Sequence, residues 1–169
     1  MSIAELLQAY ADLVAEWAPR LDLVSPGDLP RFYERHIEDS LKALPVVSAC
    51  PPGPAVDVGS GAGLPGLPLA ISDPTRHWRL LEPRKRRAAF LEEAVRTLSL
   101  DCEVLVLTAE QAATDPGLAG NHMVGTARAL AAPESASELI APLLGPGGRA
   151  IVWVGAGTPD SRDGLLIRP

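Results

Sequence analysis

Val56-Asp57-Val58-Gly59-Ser60-Gly61-Ala62-Gly63-Leu64-Pro65-Gly66-Leu67-Pro68-Leu69-Ala70-Ile71 is the stretch whose reading decides the fold. It begins with β-branched residues, passes through three alternate glycines and continues into an apolar run, so it reads as strand, tight loop and helix. A strand feeding a helix through a glycine loop belongs to a parallel α/β sheet, with the loop at the carboxyl edge where such sheets bind ligands. Ala55–Val58 is then the first of five β-rich segments, followed by residues 77–82, 102–107, 124–127 and 150–154. Helical patterns at 64–71, Lys85–Leu98, 109–118 and 133–144 separate them. This alternation predicts an α/β fold, a doubly wound, Rossmann-like sheet, over residues 55–155. Residues 145–148 read as a turn feeding the fifth strand, and 155–169 as a polar tail ending in Leu165-Leu166-Ile167.

Upstream of the loop the pattern is helical. Ser2-Ile3-Ala4-Glu5 has the form of a capping box, and apolar residues then recur at helical spacing up to Pro19. A second helix is expected from Asp28 as N-cap, with Pro30 in its first turn, until Pro45. Pro51-Pro52-Gly53-Pro54 breaks the chain before the sheet. Residues 1–50 are thus a helical extension of a single domain spanning 1–169.

The 169 residues are 47% hydrophobic and carry a formal net charge of −6, a composition that fits one packed domain. That charge excludes a surface basic all over, so any nucleic-acid contact must be local. Cys50 and Cys102 have neither metal-ligand nor redox-pair spacing, and His36, His77 and His122 are scattered, so no metal site is expected. No apolar run approaches the roughly 18 residues of a membrane span, and no leader pattern opens the chain. A cytoplasmic protein is expected.

Gly61-Ala62-Gly63-Leu64-Pro65-Gly66 fits a dinucleotide fingerprint, a pattern that does not separate a nicotinamide cofactor from S-adenosylmethionine. Asp57, two residues before Gly59, does more. It would repel a pyrophosphate but pair with the ammonium of S-adenosylmethionine. Glu82 closes the next β segment about 20 residues on, where a carboxylate can accept hydrogen bonds from ribose hydroxyls.

The chain resembles the ribosomal RNA small subunit methyltransferase G family, also called glucose-inhibited division protein B. The likeness is carried by Arg35-His36-Ile37-Glu38-Asp39-Ser40-Leu41, by the glycine loop with Pro65 and Pro68, and by Ala127-Arg128-Ala129. The basic helix Lys85–Leu98 with Phe90-Leu91 and the turn and strand Leu143–Val154 add to it. The resemblance implies a class I S-adenosylmethionine-dependent methyltransferase acting on N7 of a guanine in 16S rRNA, with small-subunit RNA or an assembling small subunit as partner. To the cofactor contacts read from the loop and the strand end, Asp57, Gly61, Gly63 and Glu82, it adds Gly59 and Leu64, with Ala109 and Glu110 flanking the adenine and Arg128 projecting into the site. Family members continue through two further strands, so a shortened C-terminal end is expected here. Met123 stands where the family has an aspartate.

Arg128 is the first candidate for catalysis and substrate contact, because a guanidinium can donate to guanine O6 while leaving N7 open. His36, Asp39 and Ser40 share one helix face but lack the nucleophile elbow and oxyanion loop of a hydrolase; a hydrogen-bonded structural cluster is expected, with His36 on the substrate side. Arg84-Lys85-Arg86-Arg87 places four cations at the start of a helix, against the macrodipole, where phosphate would compensate them. With Arg31, Arg35 and Arg128 they could form a local RNA face. A weakly active or inactive relative binding cofactor or RNA, a small-molecule methyltransferase and a nicotinamide oxidoreductase are the alternatives.

Overall fold

Ser2 accepts from the Glu5 backbone N–H and Glu5 Oε2 accepts from Ser2 N–H at 2.6 Å, so the expected capping box starts helix α1, Ile3–Leu21. Pro19 lies inside its last turn instead of ending it, and the left-handed Asp22 closes the helix. This computed structural model describes residues 1–169 except 156, 157 and 159. Those three lie in the expected polar tail, and that part of the expectation falls outside the described residues.

The second helix departs from expectation. It is broken into a 3₁₀ turn, Leu29–Arg31, a single π turn, Tyr33–Ile37, and the short helix α2, Glu38–Leu41. Asp28 does not cap it; its carboxylate accepts from the Ser25 hydroxyl at 2.8 Å and pairs with Arg35. Pro45 does not end it either, but sits in the first turn of a further helix, α3, Leu44–Ala49.

Six strands follow: β1 Ala55–Val58, β2 Trp78–Leu81, β3 Cys102–Leu105, β4 His122–Ala127, β5 Leu144–Trp153 and β6 Leu165–Arg168. Their order is β3-β2-β1-β4-β5-β6, parallel except for β6. Past β5, residues 165–168 pair antiparallel with 150–153, so the apolar end of the expected polar tail supplies one further strand where the family has two, and covers the edge of β5. The glycines expected to turn before β5 are instead taken into it. The register of β4 and β5 shifts between His122 and Val124, and a Cβ at Gly145 or Gly148 would come within 2.8 Å of neighbouring backbone oxygens.

The crossover helices are α4 Gly66–Ser72, α5 Lys85–Leu98, α6 Ala109–Ala113 and α7 Pro133–Ile140. Adjacent strand residues point to opposite faces, so Leu80 joins the apolar cluster built with α1, α4 and α5, while Leu81 joins the one built with α6 and α7. The N-terminal helices share the first cluster through Tyr10, Val14, Phe32 and Ile37. No described helix is long and apolar enough to cross a membrane.

Candidate functional site

Asp57 lies on β1 opposite Thr126 of β4, and both are fully buried. The Thr126 hydroxyl donates to Asp57 Oδ1 at 2.7 Å, and the Gly66 N–H donates to Oδ2 at 3.3 Å. The carboxylate expected to meet a ligand directly is therefore enclosed beneath the loop, where it joins β4 and the start of α4. A Cβ at Gly66 would lie 2.7 Å from Asp57 Oδ2, so only glycine lets the helix backbone come this close.

Burial pushes the Asp57 carboxyl up to about 6, against the lowering effect of its hydrogen bonds from Thr126 and Gly66. A carboxyl whose pKa rises on folding stabilises the fold fully below its unfolded value, and that contribution is lost as pH rises through about 6. Relative to Asp57→Asn, which cannot ionise, wild-type stability should fall by about 1 kcal/mol between pH 5 and 8, nearly all of it below about pH 7. Urea denaturation of both proteins across that range checks this; a constant difference would contradict it. At neutral pH the group is mostly ionised and sets a negative charge under the loop.

Above it, Gly59, Gly61 and Gly63 all have positive φ, and the Leu64–Pro65 peptide is cis. The loop is held from both sides. Tyr10 of α1, fully buried, donates to the Ala62 carbonyl at 2.7 Å. Glu82, just past β2 and 4% exposed, accepts from Gly61 N–H and Arg84 N–H, both at 2.9 Å. Two of the roughly four acceptor positions of this carboxylate are thereby used.

The loop floors a cleft of about 320 Å³ whose walls include Gly59, Ser60, Gly61, Ala62, Leu64, His36, Arg87 and Arg128. Sequence-predicted residues from three distant segments thus meet here. Arg128 follows β4 and turns back to the π turn, donating to His36 Nδ1 at 2.8 Å and to the His36 carbonyl at 3.2 Å. Its acidic partner is Asp39, 3.5 Å away. A guanidinium only donates, so Nδ1 is the acceptor and the ring hydrogen sits on Nε2. That Nε2 is buried without a hydrogen bond, 3.5 Å from Asp28 Oδ2. Burial and the Arg128 charge hold the His36 pKa below its ordinary value.

Ala109 and Glu110 are not brought to this cleft. They open α6 behind the Thr108–Gln111 capping box, Ala109 buried and Glu110 exposed, at the same sheet edge as Glu82, whose N–H bonds the Leu105 carbonyl. Arg84 and Lys85 are exposed beside the cleft. Arg86 and Arg87 donate to the Arg20 and Asp22 carbonyls, so the C-terminal end of α1 compensates two of the four cations for which phosphate was expected. His36, Asp39 and Ser40 form no triad: the Ser40 hydroxyl donates to the His36 carbonyl at 2.6 Å and Asp39 pairs with Lys42 and Arg128. Met123 packs against Gly53 and Gly145 at the opposite edge of the sheet, away from the loop. Among the described residues there is no cluster of metal ligands.

Sequence reasoning missed Tyr10, Thr126 and the Asp39 pairing. Thr126 had a signal, since aligning β4 on β1 sets it opposite Asp57. Tyr10 had none, because nothing local ties residue 10 to residue 62.

Comparison with known proteins agrees with the fold. The fold is similar to that of geranyl diphosphate C-methyltransferase from Streptomyces coelicolor A3(2), solved with S-adenosyl-L-homocysteine, at TM-score 0.54 and 15% identity over 68% of this chain and 42% of that one. Ribosomal RNA small subunit methyltransferase G of Acidiphilium cryptum is 43% identical over 155 residues, 89% of this chain and 68% of the relative. The Mycobacterium leprae protein of the same name is 40% identical over 151 residues, 89% of this chain and 60% of the relative. The chain thus spans roughly two thirds or less of the length of these relatives. The family model for rRNA small subunit methyltransferase G matches residues 3–161, and with these relatives it shows that the chain belongs to that family.

Proposed function

We propose that the chain transfers a methyl group from S-adenosylmethionine to N7 of a guanine in small-subunit (16S) ribosomal RNA. One observation carries this reading: the glycine loop over Asp57 shares a cleft with Arg128 and His36, in a chain of this family. The cofactor supplies an electrophilic methyl: its carbon–sulfur bond breaks as the carbon–N7 bond forms, leaving a thioether and passing the positive charge to the purine. N7 has a free lone pair, so no base has to remove a proton, and positioning is the protein's main contribution.

The residues fit that cofactor. Gly61 leaves open space above the loop, where an added Cβ would find no atom nearer than 3.9 Å. Asp57 would attract the cationic methionyl end through the loop, Gly59, Gly63 and Leu64 would let it approach, and Glu82 retains lone pairs for ribose hydroxyls. Ala109 and Glu110, at the edge beyond β3, would border the adenine. Arg128 would donate to guanine O6, and the exposed cations Arg31, Arg35, Arg84 and Lys85 would meet RNA phosphates, in the cytoplasm where ribosomal subunits are made.

Incubation with labelled S-adenosylmethionine and small subunits from a strain lacking the modification tests the reading. One methyl per subunit is expected, recovered as N7-methylguanine, with less transfer to naked 16S rRNA because the available basic surface is small. Absence of label from both substrates would overturn it.

A further inference from the structure

Next to the loop cleft lies a second cavity of about 640 Å³, within the usual range for small-ligand pockets, and Arg128 and Ala129 form the wall between the two. Its other walls include Asp39, Lys42, Trp153 and Asp163. The proposed cofactor site does not use it. We propose that this cavity holds the acceptor guanine and that Asp39 reads its Watson–Crick edge; this inference rests on the methyl-transfer reading above.

The chemistry of the walls selects the base. The Asp39 carboxylate accepts hydrogen bonds at two oxygens, and guanine alone among the four bases presents two adjacent donors, N1–H and the 2-amino group, to such an acceptor. Adenine and cytosine offer an amino donor beside a ring acceptor, and uracil a single N–H between carbonyls. On guanine, O6 adjoins N1 and N7 adjoins O6. A base bound by Asp39 at N1 and by Arg128 at O6 therefore directs N7 past Arg128, toward the glycine-loop cleft.

Asp39 is prepared for this task. The Trp153 indole N–H donates to the Asp39 carbonyl at 3.1 Å and fixes its backbone. Its carboxylate is 28% exposed, 2.7 Å from Lys42 and 3.5 Å from Arg128. The Lys42 contact is at a side chain 52% exposed, and such a pair gives way at little cost when a base enters. As N7 is methylated the ring becomes cationic and its N1–H a stronger donor, so the Asp39 contact tightens in the transition state. The same carboxylate offsets the charge of Arg128, which otherwise opposes a cation forming beside O6.

The test uses the full chain and small subunits in which the methylated guanine, once mapped, is replaced by inosine, which lacks only the 2-amino group. Wild type is expected to lose about tenfold in kcat/KM on inosine. Asp39→Asn is expected to lose about 10- to 100-fold on guanine, to treat the two bases within about twofold, and to keep its melting temperature and S-adenosylmethionine affinity. Asp39→Glu should restore part of the discrimination. Retained guanine preference in Asp39→Asn, or a loss of cofactor affinity equal to its loss of activity, would overturn the assignment while leaving the methyl-transfer reading intact. Failure of wild type to methylate either subunit would overturn both.

Discussion

Arg76→Met is expected to lower the stability of the protein by about 3–5 kcal/mol, the largest stability loss predicted here for a residue outside the cleft. The side chain is 6% exposed, and all five of its N–H donors are engaged. Nε donates to Asp73, one terminal nitrogen to the Pro51 and Gly53 carbonyls, and the other to the Val47 and Cys50 carbonyls, the last four at 2.8–3.0 Å. This fork terminates α3 and ties the Pro51–Pro54 breaker to the start of β2. Methionine fills much of the volume but donates nothing, leaving four carbonyls short of a partner. Thermal unfolding should show a midpoint roughly 10 °C lower. Because the clamp lies at the sheet edge opposite Gly59, cofactor affinity below the new midpoint should stay within about twofold. A midpoint within about 2 °C of wild type would mean that water replaces the fork without loss.

Arg128→Ala is expected to reduce single-turnover methyl transfer to small subunits by about 10²- to 10³-fold, with S-adenosylmethionine affinity changed less than about fivefold. The side chain is 18% exposed, stands between the two cavities and donates to both His36 Nδ1 and the His36 carbonyl. Its removal takes away a planar donor set and frees the π turn that carries His36. Arg128→Lys keeps the charge without the fork and should still lose at least about tenfold. If Arg128→Ala methylated at the wild-type rate, the guanidinium would have no part in placing the acceptor.

Local rules made much of this molecule legible. The Ser2–Glu5 box, the strand at Ala55–Val58 and helix α5 at Lys85–Leu98 follow from short-range pattern, and the structure has them as read. The misreadings come from contacts distant in sequence. A helix from Asp28 to Pro45 is a fair reading of periodicity, but Arg128, about ninety residues away, donates to the His36 and Arg35 carbonyls of a π turn. Arg86 and Arg87 looked uncompensated because the carbonyls they cap belong to the end of α1. Leu165-Leu166-Ile167 read as the end of a polar tail, yet β5 offered a free edge and the segment pairs there. Met123, which stands where the family has an aspartate, lies at the start of β4, at the end of the strand away from the loop.

The glycine loop remains the centre of the account, and direct titration of the purified protein with S-adenosylmethionine in a calorimeter tests it most directly, with the nicotinamide dinucleotide as control. Saturable binding of S-adenosylmethionine in the micromolar range is expected, about 10⁻⁵ M or tighter and weakened severalfold in Asp57→Asn, with none of the dinucleotide. Binding of the dinucleotide instead, or of neither, would contradict it.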